Sequence, residues 1–239
     1  MNGPSQTYWR WPGWPRLGYT LLLSCAQGLW FTLIYGGADR ITAQHSYRVR
    51  VHLDIETAIP FVPASVVGYM SLYLLFSAAP FILRTRRELE ALTFALAAVT
   101  LAAGPCFLLL PVETAFPDAG ELGAWTGPVR FAKQLALRNN CFPSLHFAFA
   151  VVCVSIFARQ AALLGKAVLW LWAGGIAAST LLLHQHYVLD LVGGFLLALA
   201  GVWLVYDRLT KTDLPRREPN ASAQPSPGSR AAGLMFPAR

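Results

Sequence analysis

Two short stretches of the chain carry residue types able to transfer a phosphoryl group. In one, His186 and Asp190 lie four residues apart, which on a helix puts both on one face within side-chain reach. The carboxylate then holds one imidazole nitrogen and raises the basicity of the other, the arrangement of an oriented nucleophile or base. The same pair also serves as a buried polar contact that locks helices together, and the spacing alone leaves the two readings even. The other stretch is Asn139-Asn140-Cys141-Phe142-Pro143-Ser144-Leu145-His146. Proline favours the first position of a helix, so Pro143 is expected to start one and to leave the N–H groups of Ser144, Leu145 and His146 at a positive dipole end, a ready anion site. The Ser144 hydroxyl adds a donor, and His146 can deliver a proton to a departing oxygen. Just upstream, Arg130, Lys133 and Arg138 supply cations that either grip a phosphate or snorkel at an interface. Together the parts describe phosphoryl transfer. His184-Gln185-His186 offers two imidazoles but no third clustered ligand, so no metal site is expected.

The elements that must position these residues follow from composition. The 239 residues are 55% hydrophobic and only 13% charged, with mean hydropathy +0.46, against about a quarter charged in soluble domains. A soluble globular protein, a coiled coil and a disordered chain are excluded, leaving an all-α, polytopic membrane helix bundle of one domain. Six apolar runs approach the ~20 residues that span a bilayer, at about 17–35, 59–83, 91–110, 143–158, 167–183 and 187–206. They predict six transmembrane helices within 17–207, after a cytoplasmic segment 1–16 and before a Pro-, Ser-, Ala- and Arg-rich tail, 208–239, expected to be disordered. The net charge of +7 lies in clusters between apolar runs, so the partner is the lipid bilayer and no nucleic acid is expected. Of the nineteen Lys and Arg residues, thirteen fall on the face that carries both termini and six on the other. The positive-inside rule puts the termini in the cytoplasm of an inner or plasma membrane, and the starts of the fourth and sixth spans on the non-cytoplasmic face. Ser144, His146, His186 and Asp190 are thereby brought to one face, and an acid inside a span, as Asp190 is, marks function by default. Gly174-Gly175 and Gly193-Gly194 are expected to let helices approach closely. The four cysteines form no CxxC pair and predict no disulfide frame.

Phe142-Pro143-Ser144-Leu145-His146, and Ser179-Thr180 followed by His186 and Asp190, resemble the second and third motifs of the type 2 phosphatidic acid phosphatase superfamily. Both spacings and the six-span plan match. The resemblance implies that His186 is a nucleophile forming a phosphohistidine, Asp190 its orienting partner, His146 the general acid and Ser144 a phosphate ligand, with no metal or cofactor. It implies a membrane lipid phosphate as substrate and hydrolysis of its ester or anhydride. Two departures stand out: Thr180 takes the place of the usual arginine, and the family's first motif is missing. The wording His186-Tyr187-Val188-Leu189-Asp190 followed by Gly193-Gly194, with Leu53-Asp54 and Ile59-Pro60-Phe61-Val62-Pro63, is similar to the branch of inositol phosphorylceramide synthases. That branch passes a phosphorylated headgroup to a lipid alcohol, so a phosphotransferase is the alternative. A non-enzymatic transporter or scaffold, using the same polar groups to bind an ion or lock helices, is a second.

Overall fold

A computed structural model describes residues 8–116, 121–137 and 139–211, and their regular structure is helical apart from one bridge between Val49 and Val112. Helix α1, Trp14–Phe31, runs through a π-helical turn, Thr32–Gly36, into α2, Gly37–Thr42. A short 3₁₀ turn precedes α3, Val66–Met70, which leads into α4, Leu72–Ile82. Next come α5, Arg86–Leu109, and α6, Thr126–Ala136. Then α7, Leu145–Phe157, α8, Leu163–Leu182, and α9, Val188–Gly201, follow, and a second π-helical turn joins α9 to α10, Asp207–Lys211. Residues 1–7 of the expected N-terminal segment and 212–239 of the expected tail lie outside the described residues. Positions 208–211, placed in the tail by sequence, belong to α10. The segment before α1 packs back on the bundle, the Tyr8 hydroxyl donating to the Phe157 carbonyl and Trp9 stacking on Phe81.

Among the described residues five helices are long and apolar enough to cross a membrane: Trp14–Thr42, Pro63–Ile82, Arg86–Leu109, Leu163–Leu182 and Val188–Lys211. Five of the six expected spans are thus matched, and the remaining one is not confirmed by length. The fourth expected span is α7, whose 13 residues extend about 20 Å at ~1.5 Å each, short of the ~30 Å hydrocarbon core. Its shortness has a local cause. Ser144, not Pro143, is the N-cap, its side chain accepting the Phe147 N–H at 3.3 Å, so the helix begins two residues later than proline preference suggests. Only His146, Phe147 and Ser155 of α7 escape full burial. A helix apolar all round belongs in a core, and α7 packs against α4, α5, α8 and α9. Its start meets α9, where the Ser144 N–H donates to the Asp190 carbonyl at 3.0 Å. Past its other end Arg159 pairs with Asp207, and the Gln160 amide reaches Glu88 at the start of α5. Thus α7 runs from one end of the bundle to the other.

Capping explains where α5 begins. Thr85 accepts the Glu88 N–H at 3.1 Å while the Glu88 carboxylate accepts the Thr85 N–H at 2.8 Å, a reciprocal cap that starts the helix five residues before its apolar run. Close approach is needed at Gly194, where a Cβ would lie 2.5 Å from the Ser144 carbonyl oxygen, and at Gly193, where it would lie 2.7 Å from the Phe142 ring. The other pair differs from expectation. Nothing stands within 4 Å of a Cβ at Gly174 or Gly175.

Candidate active site

The first turn of α9 and the start of α7 build the site between them. Asp190 is fully buried and His186 is 7% exposed. His186 Nδ1 stands 3.4 Å from Asp190 Oδ2, which also accepts the Tyr187 N–H at 2.8 Å. A carboxylate only accepts, so the proton between them belongs to Nδ1 and the Nε2 lone pair is left for chemistry. Asp190 Oδ1 has no hydrogen-bond partner among the described residues.

His146 arrives from the other motif. Its Nε2 lies 2.8 Å from the Tyr69 carbonyl oxygen, and its ring stacks on the Tyr69 ring with centroids 3.8 Å apart. A carbonyl cannot donate, so Nε2 carries a hydrogen and Nδ1 is the ring atom left to gain or lose a proton. His146 and His186 both line one cavity of about 680 Å³. Ser144 is fully buried; its oxygen is engaged as the α7 cap. Thr180, where the resemblance would lead one to expect arginine, is also fully buried, with its hydroxyl donating to the Ala177 carbonyl at 2.7 Å. It contributes its own carbonyl, which accepts the Gln185 N–H at 3.0 Å and closes the turn before His186.

The upstream cations separate from this pattern. Arg130 and Lys133 are exposed on α6, the Lys133 ammonium lying 5.5 Å above the Phe61 ring. Arg138 lies outside the described residues. Residues 134–137, at the end of α6, border the same cavity as the two histidines. His184 donates Nε2–H to the Ile59 carbonyl at 2.8 Å and stacks on Phe116. Burial, together with the nearby Lys133, lowers its pKa below the ordinary histidine value. Among the described residues no three His, Cys, Asp or Glu side chains cluster as metal ligands.

Four contributors have no mark in the chain's spacing. Glu56, 4% exposed, lies in a 3₁₀ turn, Asp54–Ala58. One of its oxygens accepts the Val188 N–H at 2.6 Å and the other accepts the Leu53 N–H at 2.6 Å. It pins the segment before α3 onto the start of α9, a helix end that favours negative charge. Tyr69 acts through its carbonyl, which any residue carries. Asn140, 3% exposed, donates to the Tyr35 carbonyl at 2.6 Å, and Asn139 is held by Asp39. The available signals were an acid and two amides beside apolar runs, where a polar side chain needs a partner.

A family model described as the PAP2 superfamily matches residues 49–204, which span the paired histidines and Asp190, three of the long helices in full and most of the last. The chain belongs to the PAP2 superfamily. No curated protein and no solved structure matches it.

Proposed function

We propose that this PAP2 superfamily member is an integral membrane lipid phosphatase that works through a phosphohistidine on His186. The observation that carries the reading is that His186, held at Nδ1 by Asp190, and His146, from a separate helix, open on one cavity. In the first step His186 Nε2 attacks phosphorus, the bond to the lipid oxygen breaks, and a doubly protonated His146 gives that oxygen the proton on Nδ1. In the second, His146 Nδ1 takes a proton from water, the hydroxide attacks the phosphohistidine, and inorganic phosphate leaves with His186 restored. Asp190 compensates the charge of the phosphorylated ring. The Leu145 and His146 N–H groups at the start of α7 and the cations of Arg130, Lys133 and Arg138 are assigned to the phosphate oxygens. The α7 helix makes a sixth crossing, and the site faces the non-cytoplasmic side.

Detergent-solubilised protein incubated with radiolabelled phosphatidate tests this. Inorganic phosphate should appear, together with an acid-labile phosphoenzyme, and His186→Ala should abolish both. A well-folded His186→Ala protein with near-normal turnover overturns the mechanism. The similarity of the 186–194 stretch to inositol phosphorylceramide synthases favours a second reading, in which a lipid alcohol replaces water. Label recovered in a second lipid, with no phosphate released, selects it. Neither product supports a transporter or scaffold.

A further inference from the structure

We propose that the cavity beneath His146 and His186 is a channel for a hydrocarbon chain that passes the bilayer midplane, so that the site selects lipid phosphates whose chain outreaches one leaflet. This rests on the reading of His186 as the phosphoryl acceptor. The cavity lies between α1, α4 and α5, and its wall on α1 recurs along one helix face from Thr20 through Ser24 and Gly28 to Tyr35. Fifteen residues at ~1.5 Å each make this rail about 22 Å long. Opposite α1 the cavity reaches Ala79, near the end of α4, and Leu89, in the first turn of α5. Both lie at the Arg84–Arg87 end of the bundle, far from the histidines. One leaflet is about half of a ~30 Å hydrocarbon core, so a chain confined to it leaves the deep part of the channel unfilled.

The wall suits hydrocarbon better than a headgroup. Leu23, Leu72, Phe76, Leu92, Leu96 and Phe149 make it apolar. The hydroxyls of Thr20, Thr32, Ser77 and Thr93 each donate to a carbonyl of their own helix, so they offer no free donor. The wall also carries the Gln27 amide, which has no partner among the described residues, and the polar ends of Ser24, Tyr69, Tyr73 and Gln134. Helix α1 has no buried residue and packs on α5, where Trp30 Nε1–H donates to the Ala97 carbonyl at 3.0 Å, so the cavity opens beside that contact. Gly28 lies on this wall. Glycine weakens a helix interior relative to alanine, and at Gly104 and Gly201 close approach accounts for it, with a Cβ meeting other atoms at 3.1 and 2.5 Å. At Gly28 nothing lies within 4 Å. The missing side chain leaves the channel open about midway along its length.

The test compares kcat/KM of the full chain on undecaprenyl phosphate, hexacosyl phosphate, dipalmitoyl phosphatidate and geranyl phosphate. The two long chains separate isoprenoid from alkyl sources. At least one of them should exceed the other two substrates by about tenfold or more, and Gly28→Phe should erase that advantage. Gly174→Phe, outside the cavity on α8, should keep it, and so should Gln27→Leu. Chain binding is read separately from chemistry by thermal stabilisation with undecaprenol and with hexacosanol. The favoured chain's alcohol should stabilise the parent and His186→Ala alike, and fail to stabilise Gly28→Phe. Stabilisation without turnover of any phosphate would sink the phosphohistidine reading and keep the channel. The channel is overturned by any of three results: no long-chain preference in an active enzyme, equal loss on all substrates in Gly28→Phe, or selective loss of long-chain turnover in Gln27→Leu, which would mean that the amide grips a polar group.

Discussion

At the scale of single residues, protons decide. Asp190 Oδ2 fixes the Nδ1–H tautomer of His186, and an amide in its place can donate instead, moving the ring hydrogen to Nε2 and blocking the nucleophile. Asp190→Asn should therefore lower kcat by about 10³–10⁴, the scale seen when an orienting carboxylate is lost from a His–Asp pair, with little change in KM. Steady-state kinetics on a folded preparation checks it. The pair was legible in the sequence by its spacing, though not for the helical reason expected: His186 lies two residues before α9, and the chain turns there so that Asp190 Oδ2 meets both His186 Nδ1 and the Tyr187 N–H. The hold on His146 was not, because a backbone carbonyl, here that of Tyr69, carries no signature. With Thr180 tied to its own helix, phosphate charge falls to other cations, and Arg138, five residues before Pro143, is the first to test. Arg138→Ala should cost about 10² in turnover, Arg138→Lys should recover part of it, and Lys133→Ala should cost less. The reverse order reassigns the clamp. His184 gives a pH signature. Its lowered pKa means that the unfolded chain binds the proton more readily, so its contribution is complete above about pH 6.5 and is lost as pH falls below that value. His184→Asn, which tolerates the residue's φ of 55°, should flatten the fall in Tm between about pH 6.5 and pH 5.

Elements meet where side chains allow them to. The motifs on α7 and α9 share a site because Gly194 lets the Ser144 carbonyl come within 2.5 Å of where a Cβ would stand, and the Ser144 N–H then reaches Asp190. Gly194→Ala should push these helix starts apart, lowering both Tm and kcat, while Gly174→Ala, with open space around it, should raise helix stability slightly. Thermal melts of the two variants side by side separate packing from propensity. Glu56 joins the segment before α3 to α9. Glu56→Ala strands buried N–H groups and should cost about 1–3 kcal/mol. Glu56→Gln keeps one acceptor for the Val188 N–H and should cost less. Sequence periodicity located each of these helices but misjudged their ends. The Thr85–Glu88 cap extends α5 backward, and the Ser144 cap delays α7, because a cap is a single hydrogen-bonded choice while periodicity averages over turns.

For the whole molecule, an all-helical membrane architecture was legible because a chain with so few charges has no soluble way to bury its apolar surface. The cavity along α1 was not legible, since its lining reads as ordinary lipid-facing sequence. Sidedness depends on α7. If this short, buried helix crosses, both ends of the described chain share one face. If it does not, α8 and α9 invert relative to α1. Two contacts favour crossing: the start of α7 bonds to the start of α9, and the segment after it pairs with Asp207 in α10. Charge agrees, since the α4–α5 turn carries Arg84, Arg86 and Arg87 while Arg159 and Lys166 flank the α7–α8 turn, and basic turns stay in the cytoplasm. Ala124, before α6, and Ala162, between α7 and α8, are both exposed and stand on opposite sides of this argument. In an otherwise cysteine-free chain, cysteine at Ala124 should react with an impermeant thiol reagent added to whole cells, and cysteine at Ala162 should react only after the cells are opened. Labelling of both in intact cells would mean that α7 does not cross. Labelling of Ala162→Cys alone would turn the site toward the cytoplasm and change the lipid pool that reaches His186.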